Sequence, residues 1–184
     1  MIASLARRLR TEDGFGLVEL VSALAILAIG IMALVAGLSS GYIALDRAST
    51  KSTAGALADV QMEKYRALSW TAIGLDLAAA EDSTYTSDSA YTDTSDGKKA
   101  GLVTPCGSPD TAACAKTQVP APNAPDGRTY RLDTYIRLQV VPNTTNRDVK
   151  VVTVVVRKDG KELARVESTF DKCTGTASGA TSCG

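Results

Sequence analysis

Residues 14 to 45 read GFGLVELVSALAILAIGIMALVAGLSSGYIAL. Past Glu19 no charged side chain occurs until Asp46, so Leu20 to Leu45 give 26 uncharged positions in a row. At about 1.5 Å of rise per residue they make a helix of roughly 39 Å, longer than the roughly 30 Å hydrocarbon core of a bilayer. The stretch is long enough to cross a membrane with some tilt. Glu19 resists that description, because it stands inside the apolar run. A carboxylate near the end of a membrane helix is costly, and a plain single-pass anchor has no use for it. Its presence points to a function at that position.

On the N-terminal side, residues 1 to 14 read MIASLARRLRTEDG and carry Arg7, Arg8 and Arg10. Such a cluster holds its end of the chain in the cytoplasm by the positive-inside rule. An ordinary secretory signal is cut after its apolar region. Here the Gly14-Phe15 junction lies before the apolar region, so a cut there leaves the anchor in place.

A short basic leader, then Gly14, Phe15, a few apolar residues ending in Glu19, and a long apolar helix follow one another in this order. The arrangement resembles the cleavage and methylation motif of type IV prepilins and type II secretion pseudopilins. The resemblance implies cleavage between Gly14 and Phe15 by a prepilin peptidase, and N-methylation of Phe15. It also implies that Glu19 faces the Phe15 amine of a neighbouring subunit in a filament. The physics agrees, since a buried amine is expensive without a counter-charge, and a carboxylate from the next subunit supplies one. The chain departs from the family at Gly16, where Thr or Ser is usual, and at Glu12 and Asp13, where a basic residue is common. An uncleaved signal anchor is the plainer alternative. It explains the apolar run but neither the Gly-Phe junction nor Glu19.

At 184 residues the chain allows one modest domain plus an anchor. Lys+Arg and Asp+Glu are both 20, so the net charge is zero and no nucleic-acid footprint is visible. Loss of residues 1 to 14 removes three arginines and two acids, leaving 17 basic and 18 acidic side chains, a net of −1. There is no histidine, so the commonest general base and the commonest metal ligand are missing. No nucleophile motif or ionisable constellation marks a catalytic site, so the expectation is a chain that is not an enzyme, with no cofactor, no metal and no small-molecule substrate.

No proline occurs before Pro105, so nothing obliges the helix to stop at the membrane surface. Gly37 and Gly41 fit a small-xxx-small contact pattern. From Asp46 to about Leu68 the helix turns amphipathic. Ala54, Leu57, Ala58, Met62, Tyr65 and Leu68 fall on one face, with Asp59, Glu63 and Arg66 on the other. The apolar face is the stem against which a sheet packs.

Residues 69 to 128 read as a connecting region. Glu81 to Lys99, EDSTYTSDSAYTDTSDGKK, has little apolar content and no clear period, so it reads as a solvated surface loop. Asp82, Asp88, Asp93 and Asp96 within it do not have the spacing of an EF-hand loop. Pro120, Pro122 and Pro125 predict a stiff extended connector.

Residues 129 to 171 predict an antiparallel β-meander. Tyr130, Leu132, Thr134, Ile136, Leu138 and Val140 alternate with Arg131, Asp133, Tyr135, Arg137 and Gln139, as in a half-buried strand. Val149 to Arg157 is valine-rich on both faces, as in a central strand. Asp159-Gly160 supplies the positive φ angles of a hairpin turn. Asn143-Thr144-Thr145 is a glycosylation sequon.

Cys106, Cys114, Cys173 and Cys183 all lie beyond the apolar segment, and an even count there predicts disulfides in an oxidising compartment. Four cysteines allow three pairings. Nearness in sequence favours Cys106–Cys114 and Cys173–Cys183, the second closing a C-terminal loop over 172 to 184, and leaves cross-pairing open.

The expected fold is therefore α+β, with a long N-terminal α-helix packed on a small C-terminal antiparallel sheet, the order of elements in a type IV pilin. The expected protein is a structural filament subunit, in a minor pilin role at assembly or at the tip. A type II secretion pseudopilin and a DNA-uptake pilin are alternatives within the class, and a signal-anchored extracellular binding module is one outside it. Expected partners are the prepilin peptidase, other pilin subunits, the membrane, and indirectly an inner-membrane assembly platform and its ATPase. The expected location is a single-pass membrane protein with its head outside the cytoplasm, then a filament at the cell surface.

Overall fold

The computed structural model describes residues 16–92, 98–100, 105–121, 124–140 and 148–172. It has the expected α+β layout. Helix α1, Leu17–Arg66, is a single helix of 50 residues, about 75 Å long at the usual rise. The chain divides into two units between Arg47 and Ala48.

The first unit is the apolar part of α1. From Leu17 to Leu45 every large apolar side chain is exposed.

The second unit holds the rest of α1 and a five-stranded antiparallel sheet. Strands β1 (Lys98–Ala100), β3 (Arg131–Val140), β4 (Asp148–Lys158) and β5 (Lys161–Asp171) lie in the order β1-β3-β4-β5, and β2 (Thr117–Gln118) also pairs with β3. The meander β3-β4-β5 matches the alternation and the Asp159-Gly160 turn. Both turn residues have positive φ, 52° and 73°, as a two-residue hairpin requires.

One face of the sheet receives the stem. Leu132, Ile136, Val152, Val154 and Val156 pack with Ala54, Leu57, Ala58, Met62 and Tyr65 of α1, and Leu163, Ala164, Val166 and Phe170 complete the cluster. The helix positions recur at three- and four-residue intervals and the strand positions at two. Full burial of each large apolar side chain contributes about 1.5–3 kcal/mol relative to exposure. Asp59, Glu63 and Arg66 remain in solvent, as their spacing predicts.

The other face departs from expectation. Asp133, Tyr135 and Arg137 were the outward residues of a half-buried strand, yet all three are buried. The cover comes from the segment expected to be a solvated loop. Within it Ser83–Thr86 form α2 and Ser89–Thr92 form α3. Asp82 caps α2 by accepting from Tyr85 N at 2.8 Å, and the Asp88 carboxylate accepts from Ala90 N at 2.7 Å. Tyr85 is buried, stacks on Tyr135 with ring centroids 4.3 Å apart, and donates to Thr134 O at 2.6 Å. The composition of this stretch is polar because its anchors are charges and tyrosines rather than aliphatic side chains.

The region 105–121 is likewise more ordered than a plain connector. Cys106 and Cys114 form the expected disulfide. Asp110 caps α4 (Thr111–Cys114) inside that ring by accepting from Ala112 N. The ring docks on the turn after α1 through Gly107 N to Ala72 O at 3.1 Å and Asp76 N to Cys114 O at 2.8 Å. A Cβ on Gly107 would stand 3.2 Å from Ala72 Cα, close enough that Ala72 would have to give by a few tenths of an ångström. Pro120 lies two residues past β2, and residues 125–127 make a turn rather than an extended run. Gly14, Phe15, Asp93, Asp96, Pro122, the sequon at Asn143, and Cys173 and Cys183 lie outside the described residues.

Candidate functional site

Of the residues singled out in the sequence, Glu19 is placed within α1, in its first turn. The turn is closed by Gly16 O, which accepts from Glu19 N at 2.9 Å and from Leu20 N at 3.1 Å. Ser22 Oγ donates back to Glu19 O at 2.9 Å. A carboxylate in a first helical turn is favoured by the helix dipole. Among the described residues the Glu19 side chain has no hydrogen-bond or ion-pair partner. Glu19 thus opens a surface on which Leu20, Leu24, Leu27, Ile31, Leu34 and Leu38 are exposed. Soluble monomers rarely leave so large a contiguous apolar surface bare, and such surfaces mark contact with a membrane or with other protein. This is one helix long and apolar enough to be a single membrane span.

The second unit carries a different constellation. Asp133 lies on β3 with no exposed surface. It accepts from Arg131 Nε at 2.9 Å, from Thr117 Oγ1 at 2.7 Å, and from Arg157. Arg157 reaches on to Asp88, and Asp88 also takes Arg165 at 2.9 Å. Arg165 continues to Glu162 at 2.6 Å, and Arg131 to Asp82 at 2.6 Å. Acids and arginines therefore alternate along one line, from Asp82 through Arg131, Asp133, Arg157, Asp88 and Arg165 to Glu162. The hydrogen bonds from Arg131 hold the Asp82 carboxyl down at about 2. Burial works to raise Asp88, and the hydrogen bond and charge of Arg165 with Ala90 N outweigh it, so this carboxyl sits below the usual range. Burial pushes the Tyr85 and Tyr135 phenols up, so both stay protonated.

Beside this line is a cleft of about 300 Å³ lined in part by Leu75, Leu77, Tyr91, Lys116 and Arg137. Lys116 is buried and pairs with Glu81 at 2.7 Å, and Tyr91 donates to the same carboxylate at 2.8 Å. Each acid of this line and of the cleft is matched to a cation, and Glu81 to a hydroxyl as well. Among the described residues no group of three or more Asp, Glu or Cys side chains is placed to hold a metal ion. Asp82 and Asp88 are taken by arginines instead.

Near the start of β4, between β3 and β5, Lys150 is buried. Its Nζ donates to Trp70 O at 2.8 Å and Ile73 O at 2.5 Å, and lies 4.3 Å from the Trp70 ring centre. Burial lowers its pKa to about 8. It ties β4 to the turn that follows α1. The sequence reading missed Asp88, Asp133, Arg157 and Lys150. Asp88 stood among the acids of a stretch that reads as a solvated loop, and on the strands Asp133, Arg157 and Lys150 leave only charges interleaved with apolar residues, as exposed strand residues also do.

Comparison with protein-family models, with curated proteins and with solved structures finds no match for this chain.

Proposed function

We propose that the chain is a structural subunit of a type IV pilus or a related filament, with a minor pilin role in assembly or at the tip as the narrower reading. The observation that carries the proposal is the bare apolar half of α1, opened by a lone carboxylate at Glu19 and preceded by the Gly14-Phe15 junction. A prepilin peptidase cuts between Gly14 and Phe15 and the new amine is methylated. The mature chain waits in the membrane with its sheet unit outside the cytoplasm. An assembly platform and its ATPase then draw it into a filament, where apolar helices exchange lipid for one another. Glu19 neutralises the Phe15 amine of the adjacent subunit. The second unit is a rigid head and performs no catalysis.

Two measurements on one strain test this. Mass spectrometry of the mature protein should find methylated Phe15 at its amino terminus, and a chain still beginning at Met1 in cells with active peptidase would refute processing. Glu19→Ala should leave membrane insertion and cleavage intact and deplete the chain from sheared filaments. An unpaired buried amine costs on the order of 3–5 kcal/mol. Normal amounts of the mutant in that fraction would favour the second reading, a signal-anchored binding module. The tyrosine- and leucine-lined cleft is the observation on that side.

A further inference from the structure

In the second unit nearly every charged side chain has a partner, from Lys64 with Asp110 to Arg165 with Asp88. On α1 the pattern breaks. Among the described residues Arg47, Lys51 and Asp59 make no hydrogen bond and no ion pair through their side chains. Glu63 has only Arg66, at 2.5 Å on the exposed surface. All four are exposed.

Their spacing is regular. Arg47 and Lys51 are four residues apart, as are Asp59 and Glu63, so each pair stacks on its own helix face. The acidic pair repeats the basic pair after 12 residues, a rise of about 18 Å. At about 100° per residue, 12 residues bring the acidic pair roughly 120° around the helix. Lys51 falls close in angle to Ala58 and Tyr65, which face the sheet, while Asp59 and Glu63 stand on the solvent side.

We propose that α1 of a second copy of this chain docks here, parallel and displaced by 12 residues. Asp59 of one copy meets Arg47 of the next, and Glu63 meets Lys51. The inference rests on the broader filament reading above, with copies of this chain as neighbours rather than single subunits at a tip, and specifies a register for it. Because the two patches differ, the contact is heterologous. It leaves an acidic pair free at one end and a basic pair free at the other, and so propagates rather than closing into a dimer. Exposed ion pairs add little affinity. Their effect is to select one axial register from the many that two smooth apolar helices would accept, since complementary charges fix register and penalise wrong alignments.

Zero-length carbodiimide coupling of the sheared-filament fraction, followed by peptide mapping, tests the register. The expected product joins Lys51 to Glu63. Within one chain these side chains are 12 helical residues apart and cannot meet, so that link forms only between copies. Lys51→Glu should reduce the chain in the filament fraction, and Lys51→Glu with Glu63→Lys should restore it. If the chain is abundant in the fraction without the Lys51–Glu63 link, the register is wrong and the filament reading stands. Failure of the double reversal to restore the amount has the same meaning. If unaltered chain is missing from the fraction altogether, the filament reading falls and the register falls with it.

Discussion

Replacing Asp133 with Ala should be among the most damaging single substitutions in the second unit. The carboxylate has no exposed surface and accepts from Arg131, Arg157 and Thr117. Removing one partner of a buried ion pair costs about 3–5 kcal/mol, because the other charge stays buried. Arg157 would keep Asp88, and Arg131 would keep Asp82, so the loss belongs at the lower end, about 3 kcal/mol. Asp82→Asn is the control, because it removes the charge and keeps a side-chain oxygen to cap α2. Its side chain is 53% exposed, and exposed pairs contribute about 0.2–1 kcal/mol. Urea unfolding of the full chain in mild detergent, followed by near-ultraviolet circular dichroism, separates the two. With a slope of about 2 kcal/mol per molar, Asp133→Ala should lower the midpoint by about 1.5 M and Asp82→Asn by less than about 0.5 M. Equal, small shifts would mean that the segment 81–92 does not seal this face, and the buried line of charges would have to be abandoned.

Acid should weaken the same contacts. Asp82 is held near 2 against an ordinary 3.8, so its stabilising contribution is fully present above the ordinary value and is lost as pH falls toward about 2. Asp82→Asn should flatten the acid end of a stability–pH curve. Lys150 has the opposite profile. Burial lowers it from 10.5 to about 8, so the folded state holds its proton less tightly, and stability should rise between pH 8 and 10.5. Lys150→Met should abolish that rise in the same unfolding measurement. Reducing Cys106–Cys114 opens a ring of nine residues, worth about 2.6 kcal/mol in the chain-entropy account. Amide exchange at Gly107 and Asp76, which bond across the ring's docking site, should accelerate before that of β4.

The stem and the meander were legible because each buries aliphatic side chains at its own period. Ala54, Leu57, Ala58, Met62 and Tyr65 announce a helix face, and the VVTVVV run with Asp159-Gly160 announces a central strand and its turn. Cys106 and Cys114 were legible from nearness alone. The far face of the sheet was not. Asp133 and Arg137 alternate with apolar residues as solvent-facing side chains do, and burial became apparent only once Asp88, Tyr85 and their partners were placed across from them. Pairs such as Asp88–Arg165 and Asp133–Arg157 are 77 and 24 residues apart. No local period encodes a partner at that distance. Glu19 was legible as an anomaly, a charge inside an apolar run, and its proposed partner belongs to another molecule.

The segment from Asp82 to Thr92 precedes the whole meander in the chain, yet its anchoring bonds reach Thr134, Arg157 and Arg165, 49, 69 and 77 residues further on. It has nothing to close upon until the strands exist. Contacts so far apart in sequence pay their loop-closure entropy late. The expected folding order therefore runs against the order of synthesis, with the meander first and this earlier segment last. Until it docks, Tyr135 and Val155 face solvent beside half-matched charges, and that interval is when the chain is most exposed to misassembly. Tyr85→Phe, which deletes the bond to Thr134, should speed unfolding and leave refolding unchanged, and a slowed refolding rate would place the segment in the nucleus instead.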